Sequence, residues 1–69
     1  MVEDLVEAIA HSKSCDKLQA MLALLCAVRC WLGNGCEDNP EDILRDWWGL
    51  DADWELDFIY VAHDVSLDD

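Results

Sequence analysis

From Leu18 to Leu32 the chain reads Leu-Gln-Ala-Met-Leu-Ala-Leu-Leu-Cys-Ala-Val-Arg-Cys-Trp-Leu, interrupted in its apolar character only by Gln19 and Arg29. The run holds no proline or glycine, is rich in strong helix formers and stops at Gly33, so it predicts a helix over about 15–32. A helix that is apolar on every side has to be covered on every side. The pattern therefore predicts a central core helix. Ala20, Ala23 and Ala27 make a strip where a neighbouring backbone can come close, and Met21, Leu24, Leu25, Val28 and Leu32 supply bulk. Lys13, Asp16, Lys17 and Arg29 shorten the apolar stretch below the roughly 18 residues that a membrane span requires.

The flanking segments alternate more sharply. Val2, Leu5, Val6 and Ile9 recur at i, i+3, i+4 and i+7, which predicts a first helix over 2–11 with Glu3, Asp4 and Glu7 facing away. Ser12-Lys13-Ser14 is a polar break in which Ser14 or Ser12 can cap the central helix. The two helices should fold back as a hairpin. Asn34-Gly35 turns the chain, and Asn39-Pro40-Glu41-Asp42 combines a cap, a first-position proline and first-turn acids, predicting a helix over 40–48. Ile43, Leu44, Trp47 and Trp48 share its face, and Gly49 ends it.

A last helix over 52–65, capped by Asp51, places Trp54, Phe58, Val61 and Val65 on one side and Asp53, Asp57 and Asp64 on another. The competing strand reading of Phe58-Ile59-Tyr60-Val61 has the residue types but neither the alternation nor a partner strand. Ser66 to Asp69 reads as a frayed acidic end. The expected fold is all-α, a compact four-helix domain around the central apolar helix, with residues 1–69 forming a single small acidic domain.

Composition adds a tension to this picture. A chain of 69 residues buries only about 60% of its unfolded surface. The hydrophobic share is nevertheless 54%, above what a soluble domain usually carries, and the excess calls for a dimer interface or a partner-binding patch. The formal net charge is -12, from sixteen acidic and four basic residues. That charge opposes direct binding to nucleic acid and to anionic membranes, and it attracts basic partners. A salt-adapted proteome would produce a similar balance, although it does not require four tryptophans and four cysteines in so short a chain.

Candidate chemistry is sparse. Met1-Val2-Glu3-Asp4 is acidic where a secretory leader is basic, so a cytoplasmic location is expected, with Cys15, Cys26, Cys30 and Cys36 reduced and acting as core thiols. His11 with Cys15, and Cys26 with Cys30, are pairs four residues apart that together would offer zinc one histidine and three cysteines. Their spacing is unlike that of zinc knuckles, so no metal and no cofactor is expected. A Cys30–Cys36 disulfide across the turn is disfavoured in a reducing compartment. His11 and His63 sit in no recognisable catalytic context, and acidic surroundings disfavour a reactive thiolate, so no enzymatic activity is expected.

The surface is the stronger candidate. Acids at helical spacing, among them Asp42 and Asp46 and then Asp53 and Asp57, can form rows of fixed anions like those a polynucleotide presents to lysine and arginine. In composition, size and charge the chain resembles the small DNA-mimic inhibitors that phages use against restriction or CRISPR effectors. The resemblance is one of type, carried by charge and size and by no motif. It implies an inhibitor that docks on the basic groove of a nucleic-acid-binding protein or ribonucleoprotein complex. Asp42, Asp46, Asp53 and Asp57 would be the contacts. Trp48, which diverges from Trp47 by about a third of a turn, would be the apolar anchor. The alternative is a small oligomeric or subunit protein, with a homodimer among the options, that binds through apolar surface around Ala20, Ala23 and Ala27 and uses its acidity only for solubility.

Overall fold

A computed structural model describes residues 2–68, with the side chains of Val2 and Asp68 left aside. It is all-α. The order is α1 (Val2–Lys13), α2 (Lys17–Gly33), α3 (Pro40–Trp48), a short 3-10 turn (Ala52–Trp54) and α4 (Glu55–Asp68), and no strand occurs among the described residues. The expected place of the Val2 side chain on the first helix face lies outside the described residues, as does Asp69 in the tail. Helix α4 continues to Asp68, so Ser66 and Leu67 are helical rather than frayed.

Each helix contributes to one core, although Trp47 of the expected α3 face lies outside it. Leu5, Val6 and Ile9 come from α1, Ala20, Leu24, Ala27 and Val28 from α2, Ile43, Leu44 and Trp48 from α3, and Phe58, Val61 and Ala62 from α4. Leu5, Ile9, Leu24, Val28, Leu44 and Phe58 are the largest side chains that are completely covered. Such burial stabilises by roughly 1.5–3 kcal/mol per large side chain. Lys17 Nζ lies 3.1 Å from Glu7 Oε1, and Met21 borders a shallow dent with Glu3 and Val6, so α1 and α2 run antiparallel as the expected hairpin.

The helix ends explain the boundaries. Ser14 does not cap α2; it takes a left-handed conformation (φ 53°) that terminates α1, with its amide donating to the His11 carbonyl and that of Cys15 to the Ala10 carbonyl. This is the paired closure of a Schellman motif. Asp16 caps α2 instead, its carboxylate accepting from the Gln19 amide at 2.8 Å. Ser12 Oγ donates to the Trp48 carbonyl, tying the end of α1 to the end of α3. Gly35 (φ 74°) closes α2 and Gly49 (φ 65°) closes α3, the conformation in which glycine carries no steric penalty. Asn39 and Asp51 occupy the expected cap positions in extended conformation without side-chain cap hydrogen bonds.

Three expectations about packing fail for one reason. Helix α2 is not covered all round: Leu18 is 67%, Met21 45% and Leu22 54% exposed. Among the described residues, α1 and α4 are the helices that pack closely on it, and they reach one side. The alanine strip is spent inside the chain, since Ala20 and Ala27 are buried and Ala23 is half-buried, so it is not the apolar surface available to a partner. The cysteines are not core thiols either. Cys26, Cys30 and Cys36 are exposed and Cys15 is half-buried, and all four are free.

Candidate functional site

The acidic residues sit where helix geometry sends them. No charged or polar residue is buried among the described side chains. Asp42 and Asp46 are exposed one turn apart on α3, a spacing that holds side chains about 5–6 Å apart at their Cβ atoms. Asp53 is exposed in the 3-10 turn, and Asp57 is half-buried in the first turn of α4. Helix α3 packs against both the turn and α4, so the four residues belong to one contiguous part of the molecule. Early-turn acids on α3 and α4 also suit the positive ends of those helix dipoles.

Cations offset little of this charge. Arg45 reaches Asp42 at 3.2 Å and Glu41 at 3.6 Å, which tempers the α3 row at its beginning and leaves Asp46 outside that pair. Lys17 pairs with Glu7, far along the chain from the candidate contacts. Its ammonium is held above its ordinary 10.5, first by the hydrogen bond to Glu7, then by that carboxylate's charge, with slight desolvation opposing.

Trp48 departs from its expected role. It is 4% exposed and belongs to the core, while Trp47 is 40% exposed. The two indoles meet edge to face, with centroids 5.9 Å apart and planes at 65°. Their divergence is legible in the sequence, but its sense depends on which side of α3 meets the rest of the chain. Trp47 is therefore the more exposed indole of α3.

Sequence reasoning also passed over a row on α4. Leu56 (79% exposed), Tyr60 (52%) and Leu67 (70%) lie with His63 on the side away from Phe58, and Ile59 borders them. The signal was present: Leu56, Tyr60, His63 and Leu67 follow helical spacing just as Trp54, Phe58, Val61 and Val65 do, so the helix has two apolar faces. A single core can cover only one of them. Asp53 and Asp57 each stand three residues before a member of this exposed row, which sets carboxylates beside apolar contacts.

Other chemistry finds no assembled site among the described residues. No group of three or more His, Cys, Asp or Glu side chains is gathered to hold a metal. His11 and Cys15 cannot share a helix face, because α1 ends at Lys13 and Ser14 reverses the backbone between them. The dent between α1 and α2 is lined by Glu3, Val6, Lys17 and Met21, with no cysteine, serine, threonine or histidine. No described helix is long and apolar enough to cross a membrane. Comparison with protein-family models, with curated proteins and with solved structures finds no match to this chain.

Proposed function

We propose that this protein is a non-enzymatic acidic decoy that occupies the nucleic-acid groove of a larger basic protein or ribonucleoprotein in the cytoplasm, in the manner of inhibitors directed at restriction or CRISPR effectors. The observation that supports it best is the placement of Asp42, Asp46, Asp53 and Asp57 on mutually packed helical elements beside exposed apolar contacts. Side chains on packed helices keep their separations, so the charge acquires a shape that a flexible acidic tail lacks. Carboxylates meet lysine and arginine of the groove and steer association. Trp47, Leu56 and Tyr60 supply the apolar anchors that the buried Trp48 cannot.

A second reading draws on a different observation. The exposed leucines of α2 and α4 suit association through apolar burial, with acidity serving solubility. Salt separates the two. A partner recovered by affinity capture is loaded with labelled nucleic acid, and the protein is titrated in at low and high ionic strength. Displacement that weakens steeply with salt, and fails when the four aspartates are replaced by asparagine, is the expected result. A partner without a nucleic-acid site, or full displacement by the quadruple variant, rejects the decoy reading.

A further inference from the structure

The sixteen acidic residues are distributed unevenly. None falls between Lys17 and Cys36, so α2 carries two cations, Lys17 and Arg29, and no carboxylate. This acid-free helix is also incompletely covered. Its core side is drawn from Ala20, Leu24, Ala27 and Val28. Leu18, Leu22, Leu25 and Arg29, separated by steps of four, three and four, turn to the opposite side. Leu18 and Leu22 are exposed there, Leu25 is half-buried, and Met21 flanks them. Alternating steps of four and three are the spacing of a helix-pairing seam, in which apolar side chains of one helix enter gaps on another.

We infer that the outer face of α2 is the seam through which two copies of this chain associate, α2 against α2 about a two-fold axis. Charge selects the second copy as occupant. Two molecules each carrying -12 repel wherever their acidic faces meet. Pairing through α2 brings together the one helix of each that has no carboxylate, with Glu3 and Glu7 of α1 bordering it beside Lys17 and Met21. Arg29 makes no ion pair with another described residue, so it is available to carboxylates at the edge of the opposite copy.

Size is compatible with this role. At 1.5 Å per residue the 17 residues of α2 run about 25 Å, close to the 30 Å longest dimension of the molecule. Specific interfaces begin at roughly 600–800 Å² per copy, so the seam has to draw on the borders of α2's neighbours as well. The inference stands apart from the decoy reading, since it concerns a different helix and a different partner.

Sedimentation velocity under reducing conditions, from micromolar to millimolar protein, tests it. The wild type should reach twice its 7.9 kDa mass, and added salt should favour the dimer by screening repulsion. Leu22→Asp and, independently, Leu18→Asp should return the protein to monomer with unchanged helical circular dichroism, since both positions are exposed in the single chain. Leu56→Asp on α4 should leave the dimer intact. A wild type that stays monomeric over the whole range overturns the inference, as does a dimer that survives both α2 substitutions or dissolves with Leu56→Asp.

Discussion

Trp31 and Phe58 meet edge to face with ring centroids 5.6 Å apart and planes at 69°, joining α2 to α4. Phe58 is completely buried, and the Trp31 indole nitrogen donates to the Asp38 carbonyl at 2.6 Å. One half-buried side chain thus holds two helices and the loop that leads into α3. Phe58→Ala should cost about 3–5 kcal/mol, a large part of the roughly 3–10 kcal/mol expected for a domain of this length. Phe58→Leu should cost less, losing chiefly the ring contact, of order 1 kcal/mol. Urea unfolding followed by circular dichroism measures both. Equal losses for the two variants would show that the ring contact, and not the burial that leucine preserves, carries the contribution of Phe58.

Ser14 and Gly49 occupy the same left-handed region at the ends of α1 and α3, and only one of them is a glycine. A residue with a Cβ is strained there by about 1–2 kcal/mol, partly offset by the greater freedom glycine adds to the unfolded chain. Substitution should therefore act with opposite signs. Ser14→Gly is expected to stabilise by about 0.5–1 kcal/mol and Gly49→Ala to destabilise by about 1 kcal/mol. A Cβ at Gly49 meets nothing within 4 Å, so the backbone conformation is the cause being measured. Thermal midpoints of the two variants that move in the same direction would contradict this account.

Much of the fold was legible because local period and punctuation carry it. Pro40 and Gly49 bracket α3, and the i, i+1, i+4 recurrence of Leu5, Val6 and Ile9 marks the buried side of α1. What escaped depends on contacts between segments distant in sequence. Which of two adjacent indoles is covered depends on how α3 sits against α1, α4 and the 3-10 turn, and no window around Trp47 and Trp48 contains that fact. The apolar circumference of α2 suggested complete burial, yet too few helices are present to enclose it, so Leu18, Met21 and Leu22 remain outside. The acidic positions followed from helical spacing. Their partial compensation by Arg45 required a side-chain conformation.

The two neighbouring tryptophans should behave differently when truncated. Trp48→Ala empties a core position and is expected to cost about 3–5 kcal/mol. Trp47 keeps 40% of its surface in solvent, and its removal should cost under about 1.5 kcal/mol, mostly the indole–indole contact. In the decoy reading Trp47→Ala should also weaken partner binding by more than it lowers stability. Chemical denaturation paired with a binding titration separates the two quantities. Unchanged affinity for Trp47→Ala would remove that indole from the proposed contact surface.

Salt should act on stability and on partner binding with opposite signs. Four cations face sixteen acids, and Lys17 and Arg45 are already engaged with Glu7 and with Glu41 and Asp42. The remaining repulsion is among exposed groups, which mobile ions screen over about 10 Å at 0.1 M. The thermal midpoint should accordingly rise between low and moderate sodium chloride. Replacing Asp42, Asp46, Asp53 and Asp57 by asparagine lowers the net charge from -12 to -8. That variant should melt higher at low salt and respond to salt more weakly. Binding to a basic groove should move the other way, weakening as salt is added and weakening further in the variant. A protein whose melting rises with salt while its binding stays constant would place recognition on the leucines of α2 and α4, with the carboxylates serving only to keep the chain in solution.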